Sequence, residues 1–200
     1  MGFFLNRGNT EFDDAVNSRI YVDKTDMLVF INEVVCTEQR YVCVSRPRRF
    51  GKSMTANMIA AYFEKGCDSA YLFENRKLGK ISGWKRNLNR FDTIRIDIAD
   101  IESRTGSADT ALTFIETKTV EDLMRAYPLC GIEPDDRLAT ALDKVNMALN
   151  CRFVIIIDEW DCFFRDNKAE WEIHEKYMDF LRSLFKGNSS KRFIALAYIT

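Results

Sequence analysis

The sequence predicts an α/β fold, a mostly parallel sheet flanked by helices, and three observations lead there. Four β-rich runs are spread along the 200 residues: YVCVS (41–45), DTIRIDIA (92–99), RFVIIID (152–158) and RFIALAYIT (192–200). Stretches with helical apolar spacing separate them, and strands alternating with helices form parallel sheets. The third and fourth runs are continuously apolar, as strands covered on both faces are.

Taken in order, IYVDKTDMLVFINEVV opens with a short extended piece and continues as a helix from about Thr25 to Val35. Residues 1–40 are therefore expected as an N-terminal segment and helix packed on a core spanning 41–200. The strand at 41–45 leads through a loop into a helix at 52–65, with Met54, Met58, Ile59 and Tyr62 on one face. The strand at 92–99 alternates Ile94, Ile96 and Ile98 with polar partners. A helix at 108–127 carries Ala108, Leu112, Ile115, Leu123 and Tyr127. Another at 136–149 carries Leu138, Ala141, Leu142, Val145 and Leu149, with Asp135 or Asp136 as N-cap. A last helix at 168–186 presents Trp171, Tyr177, Met178, Leu181 and Phe185, and Gly187 ends it. The final run reaches Thr200 in mid-strand, so the core is expected to be truncated after its fourth strand, as a fragment of a longer protein.

Composition narrows the function classes. Hydrophobic residues at 46% and charged residues at 30% suit one globular core, and a formal net charge of −1 supplies no global basic field for nucleic acid. No apolar run approaches the roughly 20 residues of a membrane span. The start, MGFFLNRGNTEFDD, lacks the pattern of a signal peptide. The six cysteines (36, 43, 67, 130, 151 and 162) form no C-x-x-C pair and His174 is the single histidine, so no zinc site is expected. The thiols read as reduced, in a cytoplasmic protein.

Two motifs carry chemistry. SRPRRFGKSM (45–54) ends like a phosphate-binding loop, G-x-x-x-x-G-K-[ST], with Arg46 in place of the first glycine. Arginine reaches positive φ only at a cost of about 1–2 kcal/mol, so the loop is expected to begin with a different turn. Its second half keeps what the chemistry needs. Arg49, Phe50, Gly51, Lys52, Ser53 and Met54 all retain backbone N–H groups that can cradle the phosphates of a nucleotide, and Arg48 and Arg49 add positive charge near where the phosphates would lie. Lys52 would reach the β- and γ-phosphates, and the Ser53 hydroxyl would ligate Mg²⁺. About a hundred residues on, FVIIIDEWD (153–161) ends a buried strand on Asp158 and Glu159. Asp158 suits the Mg²⁺ shell and Glu159 suits polarisation of an attacking water. A GKS in a solvated basic turn and an acidic strand end are each unremarkable alone; together, in this order, they predict an ATP and Mg²⁺ site with Lys52 and Glu159 as its catalytic residues.

With both motifs in hand, the chain resembles the predicted AAA-ATPase-like family, whose P-loop NTPase domain is often joined to a C-terminal restriction-endonuclease-like nuclease domain. YVDKT (21–25), SRPRRFGKS (45–53), IRIDIA (94–99), IIIDEWD (155–161) and ALAYIT (195–200) carry the resemblance, in family order. It makes Arg46 a family variant. It implies nucleoside triphosphate at Gly51, Lys52 and Ser53, Mg²⁺ near Ser53 and Asp158, and Glu159 as the water-activating base. Trp160 stands where the family often has Tyr. The strand ending at Thr200 resembles the one that carries a polar sensor in related ATPases. The implied partner is a nuclease domain in cis, with nucleic acid met only indirectly and no membrane.

Other residues have plainer readings. Tyr21, Asp23 and Lys24 can approach the nucleotide or simply start a helix, with Asp23 or Thr25 as its N-cap. His174 reads as packing, Asp97 as a strand-end aspartate, and Trp84, Lys85, Arg86 and Arg90 as a solvated loop. The expected function is an ATPase that couples hydrolysis to a conformational change. The alternative is a nucleotide-binding regulatory module with little or no hydrolysis; a P-loop kinase fits less well, because kinases more often lack the water-activating Glu. In an open parallel sheet ligands bind beyond the carboxyl ends of the strands. The strands at 41–45 and 152–157 should therefore be neighbours or one strand apart, with Gly51, Lys52 and Ser53 facing Asp158 and Glu159.

Overall fold

A computed structural model describes residues 1–45, 50–166 and 171–200. Among them β1 (Tyr41–Cys43), β2 (Asp92–Asp97), β3 (Phe153–Asp158) and β4 (Ile194–Ile199) form one all-parallel sheet in the order β1-β4-β3-β2. β4 therefore separates the strand before the GKS turn from the strand that ends on Asp158. β2 and β3 pair without slippage from Asp92↔Phe153 to Asp97↔Asp158.

Helices cover both faces. α1 (Thr10–Val16), α2 (Met27–Val34), α3 (Lys52–Phe63) and the short α4 (Ala70–Phe73) precede β2. α5 (Ile98–Thr105), α6 (Ala108–Ala126) and α7 (Leu138–Leu149) lie between β2 and β3. α8 (Cys162–Asp166), α9 (Trp171–Phe185) and α10 (Ser190–Phe193) lie between β3 and β4. Alternation along β3 sends Val154 and Ile156 to the face packed by α1–α4, and Ile155 and Ile157 to the face packed by α5–α9. Both faces are apolar, so the strand shows no polar alternation. Ile155, Ile156 and Ile157 are each buried, worth about 1.5–3 kcal/mol apiece relative to exposure.

The N-terminal residues are pinned by a carboxylate. The buried Oδ2 of Asp122 accepts the N–H groups of Phe4 (2.7 Å) and Leu5 (3.2 Å), and Leu5 bridges Ile94 in antiparallel fashion beside β2. All six cysteines are free thiols. No helix among the described residues is long and apolar enough to cross a membrane.

Several boundaries differ from the sequence expectation. The strand at 92–99 stops at Asp97, whose carboxylate accepts the Asp100 N–H at 3.0 Å and starts α5. α7 begins at Leu138 behind Arg137, and neither Asp135 nor Asp136 caps it. Asp136 instead accepts the Glu133 N–H (2.8 Å) and the Lys144 ammonium (2.5 Å), closing the preceding turn. The run from 192 begins as the end of α10, and β4 starts at Ile194. In α9 the buried face is Tyr177, Phe180 and Leu184, while Trp171 is 73% exposed in the first turn.

Candidate functional site

Gly51 is the N-cap of α3, with φ 76° and ψ 33°, and the helix follows at once. A side chain is disfavoured in that left-handed conformation. A left-handed residue running into a right-handed helix gathers successive N–H groups into an anion-binding concavity. The Lys52 and Ser53 N–H groups lie in the first turn, where no intrahelical acceptor exists. The helix carries no acidic residue of its own in that turn, so the negative charge facing its positive end comes from Asp158 and Glu159. Gly51 O accepts both the Thr55 N–H (3.0 Å) and the Thr55 hydroxyl (2.9 Å), which fixes the turn. Phe50 is exposed ahead of it and Met54 half-buried within the helix. Arg46, Pro47, Arg48 and Arg49 lie outside the described residues, and with them the arginine contribution expected from the sequence.

Opposite stands the end of β3. Asp158 is 0% exposed, and its Oδ1 accepts the Glu159 N–H at 3.1 Å. Its Oδ2 has no hydrogen-bond partner among the described residues. Burial pushes the Asp158 carboxyl above the usual carboxylate range; the Ser53 hydroxyl opposes this, the Asp97 charge adds to it, and the Glu159 N–H and Arg95 oppose it. Glu159 has φ 51°, a left-handed conformation that costs a non-glycine residue about 1–2 kcal/mol. Such strain gathers at functional sites. The turn aims Glu159 back across the sheet end, where Oε1 lies 3.8 Å from the Lys52 ammonium and Oε2 lies 3.2 Å from Arg165. The Thr200 N–H donates to Ile157 O (2.9 Å) and its carbonyl accepts the Trp160 N–H (3.2 Å). This stitches β4 to the acidic turn and leaves the buried Thr200 hydroxyl without a partner among the described residues.

The donor set fits Mg²⁺. A buried acceptor with no partner costs about 1–3 kcal/mol, and a hard cation on Asp158 Oδ2 relieves that cost. Asp158 and the Ser53 hydroxyl beside it are both oxygen donors. Among the described residues no group of three or more His, Cys, Asp or Glu could hold a metal. Mg²⁺ is commonly held by one or two carboxylates with substrate phosphates and water, so this sparse set suits it.

The structure thus brings Gly51, Lys52, Ser53, Asp158 and Glu159 to one end of the sheet. Asp97, next to Asp158 in register, spends its carboxylate on the α5 cap. His174 sits against Phe164 (ring centroids 5.0 Å) with Nε2 3.2 Å from the Phe163 carbonyl, a packing position. Trp84 packs on the core under Lys85, 5.1 Å from its ring, while Arg86 and Arg90 are exposed. Neither Asp23 nor Thr25 is the N-cap of α2, a position held by Asp26. Sequence reasoning missed Arg165, six residues beyond Glu159, because no motif marks it. It also missed Arg95, a buried guanidinium on β2 that pairs with Glu11 of α1. A charged residue inside DTIRID was the available signal.

Comparison with known proteins adds family membership. Residues 8–200 match the AAA-ATPase_like family model, described as a predicted AAA-ATPase. Over 165 residues the chain is 27% identical to an uncharacterized protein in the vnfD 5′ region of Azotobacter chroococcum mcd 1, covering 82% of this chain and 30% of that protein. The chain thus spans about 30% of the length of the curated relative it matches. No solved structure matches it.

Proposed function

Because the chain belongs to the predicted AAA-ATPase-like family, we propose that it is a P-loop module that binds ATP with Mg²⁺ and hydrolyses it to drive a conformational change. The observation that carries this reading is the meeting of the two motifs, with the Lys52 ammonium 3.8 Å from Glu159 beside the buried, half-satisfied carboxylate of Asp158. In the proposed reaction the Gly51, Lys52 and Ser53 N–H groups bind phosphate oxygens and the Lys52 ammonium offsets the terminal charge. Asp158 and Ser53 would hold Mg²⁺, which when bound offsets charge on the β- and γ-phosphates. Glu159 takes the proton of the attacking water. Thr200, whose buried hydroxyl has no partner among the described residues, would serve as the polar sensor.

A second reading has its own support. Glu159 is paired with both Lys52 and Arg165, so its carboxylate is engaged until something draws Lys52 away. A nucleotide-binding regulatory module with slow or no hydrolysis, serving a nuclease domain on the same polypeptide, fits that arrangement. Phosphate release from ATP by the wild type and by Glu159→Gln separates the two. For an ATPase, Glu159→Gln keeps ATP binding and loses turnover by about 100-fold or more, the usual scale of general-base removal. Equal, near-zero release by both proteins supports the regulatory module instead.

A further inference from the structure

The segment YVDKT approaches the GKS turn through one residue. The Lys24 ammonium donates to the Phe50 carbonyl at 2.6 Å, across 26 positions of sequence. It also lies over Gly51, where an added Cβ would come within 2.9 Å of Nζ. The left-handed backbone is what favours glycine at 51; a Cβ there would only displace the flexible end of Lys24. Lys24 and Lys52 line the same cavity of about 540 Å³, together with Phe50, Thr55 and Tyr198.

The neighbours of Lys24 hold its backbone in place. Asp23 Oδ1 accepts the Thr25 N–H (2.9 Å) and hydroxyl (2.7 Å), and Oδ2 accepts the Lys77 N–H (2.8 Å). Burial raises the Asp23 carboxyl, but those backbone N–H groups, the Thr25 hydroxyl and Arg76 outweigh it, leaving the carboxyl below its ordinary range. The Thr25 hydroxyl accepts the Leu78 N–H at 3.1 Å, and Arg76 covers the Tyr21 ring at 4.9 Å. Every polar side chain of the segment except Lys24 is therefore turned toward residues 76–78. Lys24 alone points at the loop, and it makes no ion pair among the described residues.

The Phe50–Gly51 peptide is trans, so its carbonyl and its N–H point in opposite directions. Holding the carbonyl on the Lys24 side turns the Gly51 N–H to the other side. We infer that Lys24 is a positioning residue of the phosphate site, fixing this peptide so that the Gly51 N–H joins those of Lys52 and Ser53 on the phosphates. The inference rests on the nucleotide reading above. It assigns to YVDKT a role in triphosphate and diphosphate binding, with no contact to the base or ribose needed.

The test is calorimetric titration of Mg-ATP, Mg-ADP and adenosine into the wild type, Lys24→Met, Lys24→Arg and Lys52→Ala, with melting temperatures recorded for each. Lys24→Met should weaken ATP and ADP at least tenfold and leave adenosine and the melting temperature unchanged. Lys24→Arg, which can still donate to the carbonyl, should bind within threefold of wild type. If Lys24→Met binds ATP within threefold of wild type while Lys52→Ala loses it, the inference falls and the site stands. If Lys52→Ala binds normally, the nucleotide reading falls first. Should Lys24→Met unfold, Lys24→Gln, whose amide nitrogen is one bond shorter, carries the same comparison. Unfolding of both makes Lys24 structural and overturns the proposal.

Discussion

Asp97 and Asp158 stand side by side, paired in register at the carboxyl ends of β2 and β3. Asp97 is half-buried and gives its carboxylate to the Asp100 N–H, where α5 begins directly. Asp158 is fully buried, has one oxygen without a partner among the described residues, and is followed by the strained turn at Glu159. Equal places in the sheet thus give unequal chemistry. What separates them is the next residue: Ile98 enters a helix and claims the aspartate as its cap, whereas Glu159 turns left-handed and leaves Asp158 facing the GKS turn.

The largest expected effect tests whether the Asp158 end is the site at all. Lys52→Ala should reduce ATP affinity about 100-fold or more, roughly 2.7 kcal/mol, because a charge-assisted contact to the terminal phosphate is lost. Calorimetry with Asp97→Ala in parallel should show affinity within twofold of wild type. Equal losses at both positions would erase the distinction between the two strand ends.

How much of this was legible follows from the kind of interaction. β3 and β4 were readable because both their faces bury apolar side chains, and Gly51, Lys52, Ser53, Asp158 and Glu159 were readable because their spacing is local. α5 was hidden, since Ile98 continues the alternation of Ile94 and Ile96 and nothing in the pattern says that Asp97 ends the strand. α1 was hidden for the opposite reason, as Phe12 is its only buried residue. Lys24 stood in a quoted motif, but its bond to Phe50 joins segments 26 residues apart. Arg165 had no motif, and its approach to Glu159 depends on how α8 leaves the acidic turn.

A middle-sized effect sharpens the comparison through pH. The Asp158 carboxyl is raised by burial, net of the opposing Ser53 hydroxyl, so the folded protein holds this proton to higher pH than the unfolded chain does. Stability from this group is present in full below the ordinary carboxylate value and is lost as pH rises through the raised one. Asp158→Asn removes the charged form, so without metal its melting temperature near neutral pH should equal or exceed that of wild type. The Mg²⁺-dependent part of ATP affinity should instead fall about tenfold, since a metal ligand must be deprotonated and Asn cannot supply a charge. In the wild type that part should weaken as pH falls, and more steeply than in Asp158→Asn, where only the phosphates of ATP still titrate. Titrations at three pH values with and without Mg²⁺ decide this, and a wild-type profile no steeper than that of Asp158→Asn would count against Asp158 as the ligand.

The smallest effect belongs to Asp97, and two substitutions divide it. Asp97→Ala removes an N-cap and should cost about 1 kcal/mol, within the usual 0.5–2. For a chain of this size that lowers the melting temperature by roughly 2–4 °C. Asn caps a helix about as well as Asp, so Asp97→Asn should keep nearly all of that stability while removing the charge. That charge is one of the causes holding the Asp158 carboxyl up. Both substitutions should therefore move the acid limb of the Mg²⁺ dependence to slightly lower pH, and only Ala should lower the melting point. A scan of melting temperature beside the Mg-ATP titrations separates the two contributions. If Asp97→Asn destabilises as much as Asp97→Ala, the carboxylate is held by more than the cap and the contrast with Asp158 narrows. If neither moves the acid limb, the two aspartates are electrostatically independent despite their shared register, and the raised Asp158 carboxyl is a consequence of burial alone.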